Sequence, residues 1–251
     1  MSLLDQFESI SLNELDALSL QNRQDTKYIL HAPRLPDLLI KMQETHRILE
    51  INNQRLFTYN NIYFDTSSLR CYIDHHNARV NRYKVRIREY AETGDFFFEI
   101  KRKTNKDRTV KQRIHLNSIT GDPTALTQKF VKEYSPFDLY DLKERAHTDF
   151  QRMTFASFEQ GHRITIDQNL TLYKPGGQKR VVEGLVIIEL KQGRASGRSP
   201  LWYALRDVGA KEVSVSKYIL ANNLIDPNIK ANRFKPRNRM INKICYASIH
   251  T

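Results

Sequence analysis

The 251-residue chain carries only two cysteines, Cys71 and Cys245. Their spacing fits no metal-binding pattern and two thiols make no disulfide framework, so a reducing compartment is expected. No stretch approaches the ~18 consecutive apolar residues that a membrane-crossing helix needs. The N-terminal "MSLLDQFESI" has acids where a secretory leader would be basic. Together these absences predict a cytosolic protein. No glycine loop of the phosphate-cradling type is present, and no Ser-His-Asp arrangement can be read from spacing. The adjacent His75 and His76 read as a surface or hydrogen-bonded pair, not as a metal site. Acids are short as well: 28 against 40 Lys and Arg, a formal net charge of +12. That imbalance predicts an anionic partner, whether nucleic acid, a membrane surface or a phosphate-rich molecule. A hydrophobic content of 40% with 12 Tyr and 12 Phe is that of a folded chain.

Local patterns predict a mixed α+β chain. Leu3, Leu4, Phe7 and Ile10 fall at helical spacing, and "SLNE" (Ser11 to Glu14) has the capping-box pattern of a second short helix. "DTKYIL" reads as a strand, followed after Pro33 and Pro36 by a helix to about His46. Further strands are expected at "RLFTYNNIYFDT", from Arg82, at "FFFEIKRK", at "TVKQRIHL", at "HRITIDQNLTLYK" and at "KRVVEGLVIIELK". Residues 122–148 read as helical, "GRASGRSP" as a flexible loop, and "LWYALRDVG" and "SKYILANNLI" as short helices. Three divisions follow: an N-terminal helical segment over 1–22, a main domain over 23–225, and a basic tail over 226–251. The tail is poorly patterned, and a solvated terminus is favoured over a dedicated binding arm.

The strand "RYKVRIREY" is the informative one. With period two, Arg82, Lys84, Arg86 and Arg88 share one face, and Tyr83, Val85 and Ile87 the other. Same-face neighbours lie roughly 6.5–7 Å apart. Each adjacent cation pair then repels by about 2 kcal/mol at an effective dielectric near 20. Three gaps cost on the order of 7 kcal/mol unscreened, against a net fold stability of about 5–15 kcal/mol. One solvated edge strand would escape that cost.

The pattern recurs, however. Glu99 and Lys101 alternate with Phe98 and Ile100. Lys111, Arg113 and His115 oppose Val110, Ile114 and Leu116. Arg163, Thr165 and Asp167 oppose Ile164 and Ile166, and Glu189 and Lys191 oppose Val186, Ile188 and Leu190. An open sheet has only two edges, and a sandwich normally mixes signs on its outside. The reading that fits is a barrel whose polar face lines a basic cavity, with helices covering the apolar outside. A polyanion entering that cavity relieves the repulsion. Single acids in such a cavity suit Mn²⁺ or Mg²⁺ bound jointly with phosphate, Glu189 first and Glu99 second. The alternative for either is a plain ion pair with neighbouring Arg or Lys.

The segments "RQDTKYIL", "YFDTSSLRCYIDHHN", "NRYKVRIREY", "FFFEIKRK", "TVKQRI", "RITIDQNL", "VIIELK" and "SKYIL", in this order from Arg23 to about Leu220, resemble the vacuolar transporter chaperone (VTC) domain in its bacterial-length form. That polyphosphate polymerase family lies within the triphosphate tunnel metalloenzyme superfamily. The resemblance implies an antiparallel eight-stranded β-barrel tunnel with a basic interior and a divalent metal, binding ATP, pyrophosphate or triphosphate, and polyphosphate. It assigns catalytic roles to Arg86, Arg88, Lys101, Lys111 and Lys217. Arg23, Lys27, Arg152 and Arg163 are matched as substrate contacts, and Lys84, Arg113 and Lys191 join them from the same basic face. Glu189 matches the metal-binding glutamate. Phe150 stands where a tyrosine is usual in the "Y-x-R" element. "RQDTKY" has Asp25 as its only acid where the superfamily's hydrolases carry "E-x-E-x-K".

Three functions follow as expectations. The first is a polymerase moving the ATP γ-phosphate onto a polyphosphate chain. The second is a tripolyphosphatase or nucleoside triphosphatase on the same tunnel. The third is a non-catalytic polyphosphate or nucleic-acid binder. No specific nucleic acid is expected, because the aromatics alternate onto the apolar face. A membrane-protein partner is the route by which the chain would meet the inner face of a membrane.

Overall fold

In the computed structural model, residues 2–18, 23–105, 108–118, 125–193 and 198–245 are described. A 3₁₀ turn at Leu3–Gln6 leads to β1 (Ser9–Ile10), α1 (Leu12–Ala17), β2 (Arg23–His31) and α2 (Leu35–Met42). Then come β3 (Arg47–Leu49), β4 (Phe57–Thr66), α3 (Arg70–His76), β5 (Arg82–Tyr90), β6 (Asp95–Lys103), β7 (Thr109–Leu116) and α4 (Ala125–Tyr134). The chain continues through β8 (Leu142–Ser157), β9 (His162–Tyr173), β10 (Arg180–Val181), β11 (Leu185–Gly193), α5 (Pro200–Asp207), β12 (Lys211–Glu212), α6 (Lys217–Ile225) and α7 (Lys235–Ile244).

Eight long strands form one antiparallel path in the order β2-β11-β9-β8-β4-β5-β6-β7, with β12 on the outer edge of β2. This is the eight-stranded antiparallel architecture that the resemblance implies, with the charged and apolar faces that the alternation predicts. Among the described residues no ladder joins β7 back to β2, so the hydrogen-bonded path stays open there. The path curls nevertheless. Lys27 on β2 bears electrostatically on Lys84 on β5, with four strands between theirs along the path, as a strongly coiled sheet allows.

The apolar outside is covered in two places. The outer face of β2, β11, β9 and β8 packs Leu30, Val186, Ile188, Ile164, Ile166 and Phe155 against α2 and α5. On β4–β6, the outer Ile62, Val85, Ile87, Phe98 and Ile100 meet Phe130 and Val131 of α4 in a second core, which α3, α6 and α7 also join.

Several local expectations change. Residues 142–148 are strand, not helix: α4 stops at Tyr134 before Pro136, and β8 begins at Leu142. Its inward–outward alternation is masked in the sequence by charged "KER", yet Leu142, Ala146 and Phe150 are buried. The first helical segment shortens to the 3₁₀ turn, and Ser9–Ile10 pairs in parallel with β3. The capping box at Ser11 forms as expected, with Ser11 and Glu14 satisfying each other's backbone amides. The basic tail does not hang free over its described part, since Phe234 and Ile241 are buried against the core. Residues 194–197 of the expected loop and 122–124 of the expected helix lie outside the described residues.

Candidate active site

The polar alternate residues of the eight strands face the inside of the curl, where they organise around three carboxylates. On the β5–β7 side, Glu99 is fully buried. Arg86 reaches across from β5 and donates to Glu99 Oε2 from Nε at 2.7 Å and Nη2 at 2.5 Å. Lys111 of β7 pairs with the other oxygen. Arg86 also donates to the Tyr63 hydroxyl at 3.3 Å, and Arg88 donates to Asn61 Oδ1 at 2.9 Å. Burial favours the neutral acid, but Arg86, Arg88 and Lys111 outweigh it and hold Glu99 well below the usual carboxylate range.

On the opposite side, Asp167 receives both prongs of Arg152, Nε to Oδ1 at 2.6 Å and Nη2 to Oδ2 at 2.8 Å. Lys217, the first residue of α6, pairs with the same carboxylate. Glu189 on β11 pairs with Lys27 on β2 directly across the ladder, and with Lys191 at 3.8 Å. Both acids stay ionised. Burial raises their pKa, and the flanking Arg and Lys lower it further than burial raises it.

Every carboxylate is thus held between two cations, and further cations are left over. Lys84 and Lys101 face each other across the β5–β6 ladder, and neither pairs with an acid among the described residues. Burial first, then Lys27, Arg82, Arg86 and Arg237, bring Lys84 down to about 7. Arg86, then burial, push Lys101 well below its ordinary value. Burial lowers Lys217 to about 8 despite Asp167. Arg163 Nε and Thr165 Oγ1 are buried without a hydrogen-bond partner, two polar atoms that an oxygen-rich ligand would satisfy. Such a surface is poorly compensated when empty and well matched to a chain of phosphates.

The expected residues therefore converge: Lys27, Lys84, Arg86, Arg88, Lys101, Lys111, Arg113, Arg152, Arg163, Lys191, Lys217, Glu99 and Glu189 all lie on the inner face or at its rim. Arg23 occupies the first position of β2, and its side chain lies outside the described residues. Three contributors escaped sequence reasoning. Asp167 was legible as a polar-face residue, but not as the partner of Arg152 and Lys217. Asn61 and Tyr59 sit on the inner face of a strand that reads as merely aromatic. Tyr59 lies between two guanidinium groups, Arg88 at 4.9 Å and Arg152 at 5.0 Å from its ring centre.

The donor set fits a divalent cation only in one manner. No group of three or more His, Cys, Asp or Glu gathers among the described residues. A cage built from protein alone is therefore not what these residues offer. Glu189, with its side chain 18% exposed to the cavity, suits the mode in which one carboxylate and substrate phosphates share the ion. Glu99, fully buried with Arg86 and Lys111 on its two oxygens, is better read as an ion-pair anchor.

The family model that matches the sequence is that of the VTC domain, over residues 22–225. The chain belongs to the VTC domain family. No curated protein matches it. Among solved structures, a provisionally assigned adenylate cyclase from Bacillus halodurans superposes with a TM-score of 0.51 at 14% identity, over 78% of this chain and 96% of that one. A provisionally assigned adenylyl cyclase from Hippeastrum, described as having a dominant triphosphatase activity, gives 0.50 at 15% identity, over 79% and 94%. At such identity the likeness shows the fold alone. The VTC domain chain is thus a polyphosphate-related tunnel protein with an enzyme-like interior. No helix among its described residues is long and apolar enough to cross a membrane.

Proposed function

We propose that this VTC domain is a polyphosphate polymerase, which transfers the γ-phosphoryl group of ATP onto the end of a polyphosphate chain. The observation that carries the reading is the excess of cations on the inner face. Once Glu99, Asp167 and Glu189 have taken their partners, Arg88, Lys84, Lys101 and Arg163 remain to meet an anion.

Phosphoryl transfer asks a protein for alignment and for neutralisation of spread negative charge more than for a nucleophile. Here Arg86, Arg88, Lys101, Lys111 and Arg163 cradle consecutive phosphates, with Lys84, Arg113, Arg152 and Lys191 extending the track. Arg23 and Lys27 stand at its entrance. An oxygen of the acceptor's terminal phosphate attacks the γ-phosphorus. A new P–O bond forms, the bond from γ-phosphorus to the β–γ bridging oxygen breaks, and ADP leaves. The attacking oxygen is already anionic, so no general base is needed. Lys217, held by Asp167 and lowered to about 8, stands ready to neutralise the transferring group. Glu189 would hold Mn²⁺ or Mg²⁺, which supplies charge neutralisation on the terminal phosphates.

The test follows the label. With ATP labelled in the γ-position, this reading expects the label in chains longer than any added primer. Label in orthophosphate alone would move the protein to the hydrolase class, and binding without turnover would make it a polyanion-binding module.

A further inference from the structure

One part of the inner face is wrong for inorganic phosphate. Where β5 ends and β6 begins, Tyr90 and Phe97 stand on the inward side, in the alternation that puts Arg86, Arg88 and Glu99 there, and so depart from the expectation that the aromatics fall on the apolar face. Both rings are only half-buried. They pack edge to face at 5.8 Å, and Tyr90 continues to Tyr59 at 4.9 Å. Tyr59 in turn lies parallel to Phe150 at 5.4 Å and 4°. Arg113 covers the face of Phe97 at 4.7 Å, and Arg88 lies 6.0 Å from the centre of Tyr90. The result is a row of flat rings interleaved with guanidinium groups, which starts with Tyr90 and Phe97 beside the connection between β5 and β6 and runs inward to the buried Phe150. Phosphate oxygens gain nothing from a π-face. A planar base does, both from aromatic rings and from guanidinium planes.

We infer that the start of this row is a nucleobase platform. Resting on the proposed use of ATP, it seats the adenine of the donor on Tyr90, Phe97 and the Arg113 guanidinium, while the triphosphate runs inward to Arg88 and Arg86. The strand spacing suits this, because Tyr90 lies one two-residue step beyond Arg88 on the same face, roughly 7 Å. The platform gives the tunnel a polarity. The nucleoside end of the donor stays at the rings, and the growing inorganic chain occupies the part of the cavity lined by Lys84 and Lys101. It also gives the site a means of preferring nucleoside triphosphates over inorganic tripolyphosphate, which the cationic lining alone would not supply.

Titration calorimetry of ATP and of inorganic tripolyphosphate, each in magnesium buffer, against wild type, Tyr90→Leu and Phe97→Leu tests this. The variants should bind ATP about 5- to 150-fold more weakly, the range of a lost base stack, and hold tripolyphosphate within about twofold. Retained tripolyphosphate binding also reports that the variant is folded, and either variant alone suffices. Equal loss of both ligands, or no loss of ATP affinity, overturns the platform. Wild-type protein that binds neither ligand would instead defeat the proposed function itself.

Discussion

Glu99→Gln is the substitution whose consequences follow most completely from the geometry. It keeps the side-chain shape and removes one charge from a fully buried site between Arg86 and Lys111. Arg86, 8% exposed, would then have no carboxylate, and Lys101, already depressed chiefly by Arg86, would lose a nearby counter-charge. Removing one partner of a buried pair costs about 3–5 kcal/mol. For a chain of this size each kcal/mol moves the melting temperature by roughly 2–4 °C, so a fall of about 6–20 °C is expected in a thermal melt. The deficit should be rescued by the ligand. Tripolyphosphate at a hundred times its Kd adds about 2.7 kcal/mol, and the variant should bind it more tightly, because a repelling carboxylate is gone. The pH dependence has a definite sign. The folded pKa of Glu99 is depressed, so its contribution is present above the unfolded value near 4.3 and is lost as pH falls toward the folded one; the variant should lack that part of the acid sensitivity. A melting temperature within about 2 °C of wild type, with unchanged tripolyphosphate affinity, would refute the idea that Glu99 is the counter-charge organising this side of the cavity.

Three further outcomes are expected. Lys84, held near 7 by burial and neighbouring cations, should take up a proton when a polyanion arrives. Calorimetry at pH 8 in buffers of different ionisation heat should then show proton uptake that Lys84→Met reduces, and affinity should fall as pH rises from 7 to 9. His46 and His162, bonded Nε2 to Nε2 at 2.8 Å, are both lowered to about 4 by burial. The unfolded chain binds their protons first, so stability should decline as pH falls from about 6.5 to 4, and a flat profile there in urea melts at stepped pH would contradict the neutral pair. Arg152→Ala removes the bidentate clasp on Asp167 and leaves that carboxylate beside Lys217 alone. It should lower kcat for ATP by about 10²-fold or more, in line with loss of a preorganised donor, and steady-state kinetics would expose a failure.

Much of this molecule was legible because its strands alternate. "RYKVRIREY" and "LVIIELK" announce one charged and one apolar face, and that period survives any arrangement of the sheet. What the period cannot convey is which strand lies beside which. Asp167 falls on the polar face in "RITID", but its clasp by Arg152 depends on the β8–β9 register, and its pairing with Lys217 on the packing of α6. β8 itself was misread over its first residues because "LKERAH" satisfies a helical pattern as well as a strand one. Its neighbours β4 and β9 decide the matter through long-range pairing. Full closure of the sheet could not be judged either. β7 is exposed along much of its length, so no burial pattern fixes a partner on its free edge. The C-terminal helix is not legible because the apolar residues that seat it, Ile241 within it and Phe234 just before it, are few and scattered among basic residues.

The central claim is that the basic interior builds polyphosphate. Purified protein should be incubated with ATP and Mn²⁺, with and without a pyrophosphate primer, and the products run on a polyacrylamide gel stained for polyphosphate. The account predicts a ladder of chains that is lost in Arg88→Ala and in Glu189→Ala. ADP and orthophosphate without chains from wild type, or an undiminished ladder from Arg88→Ala, would contradict it.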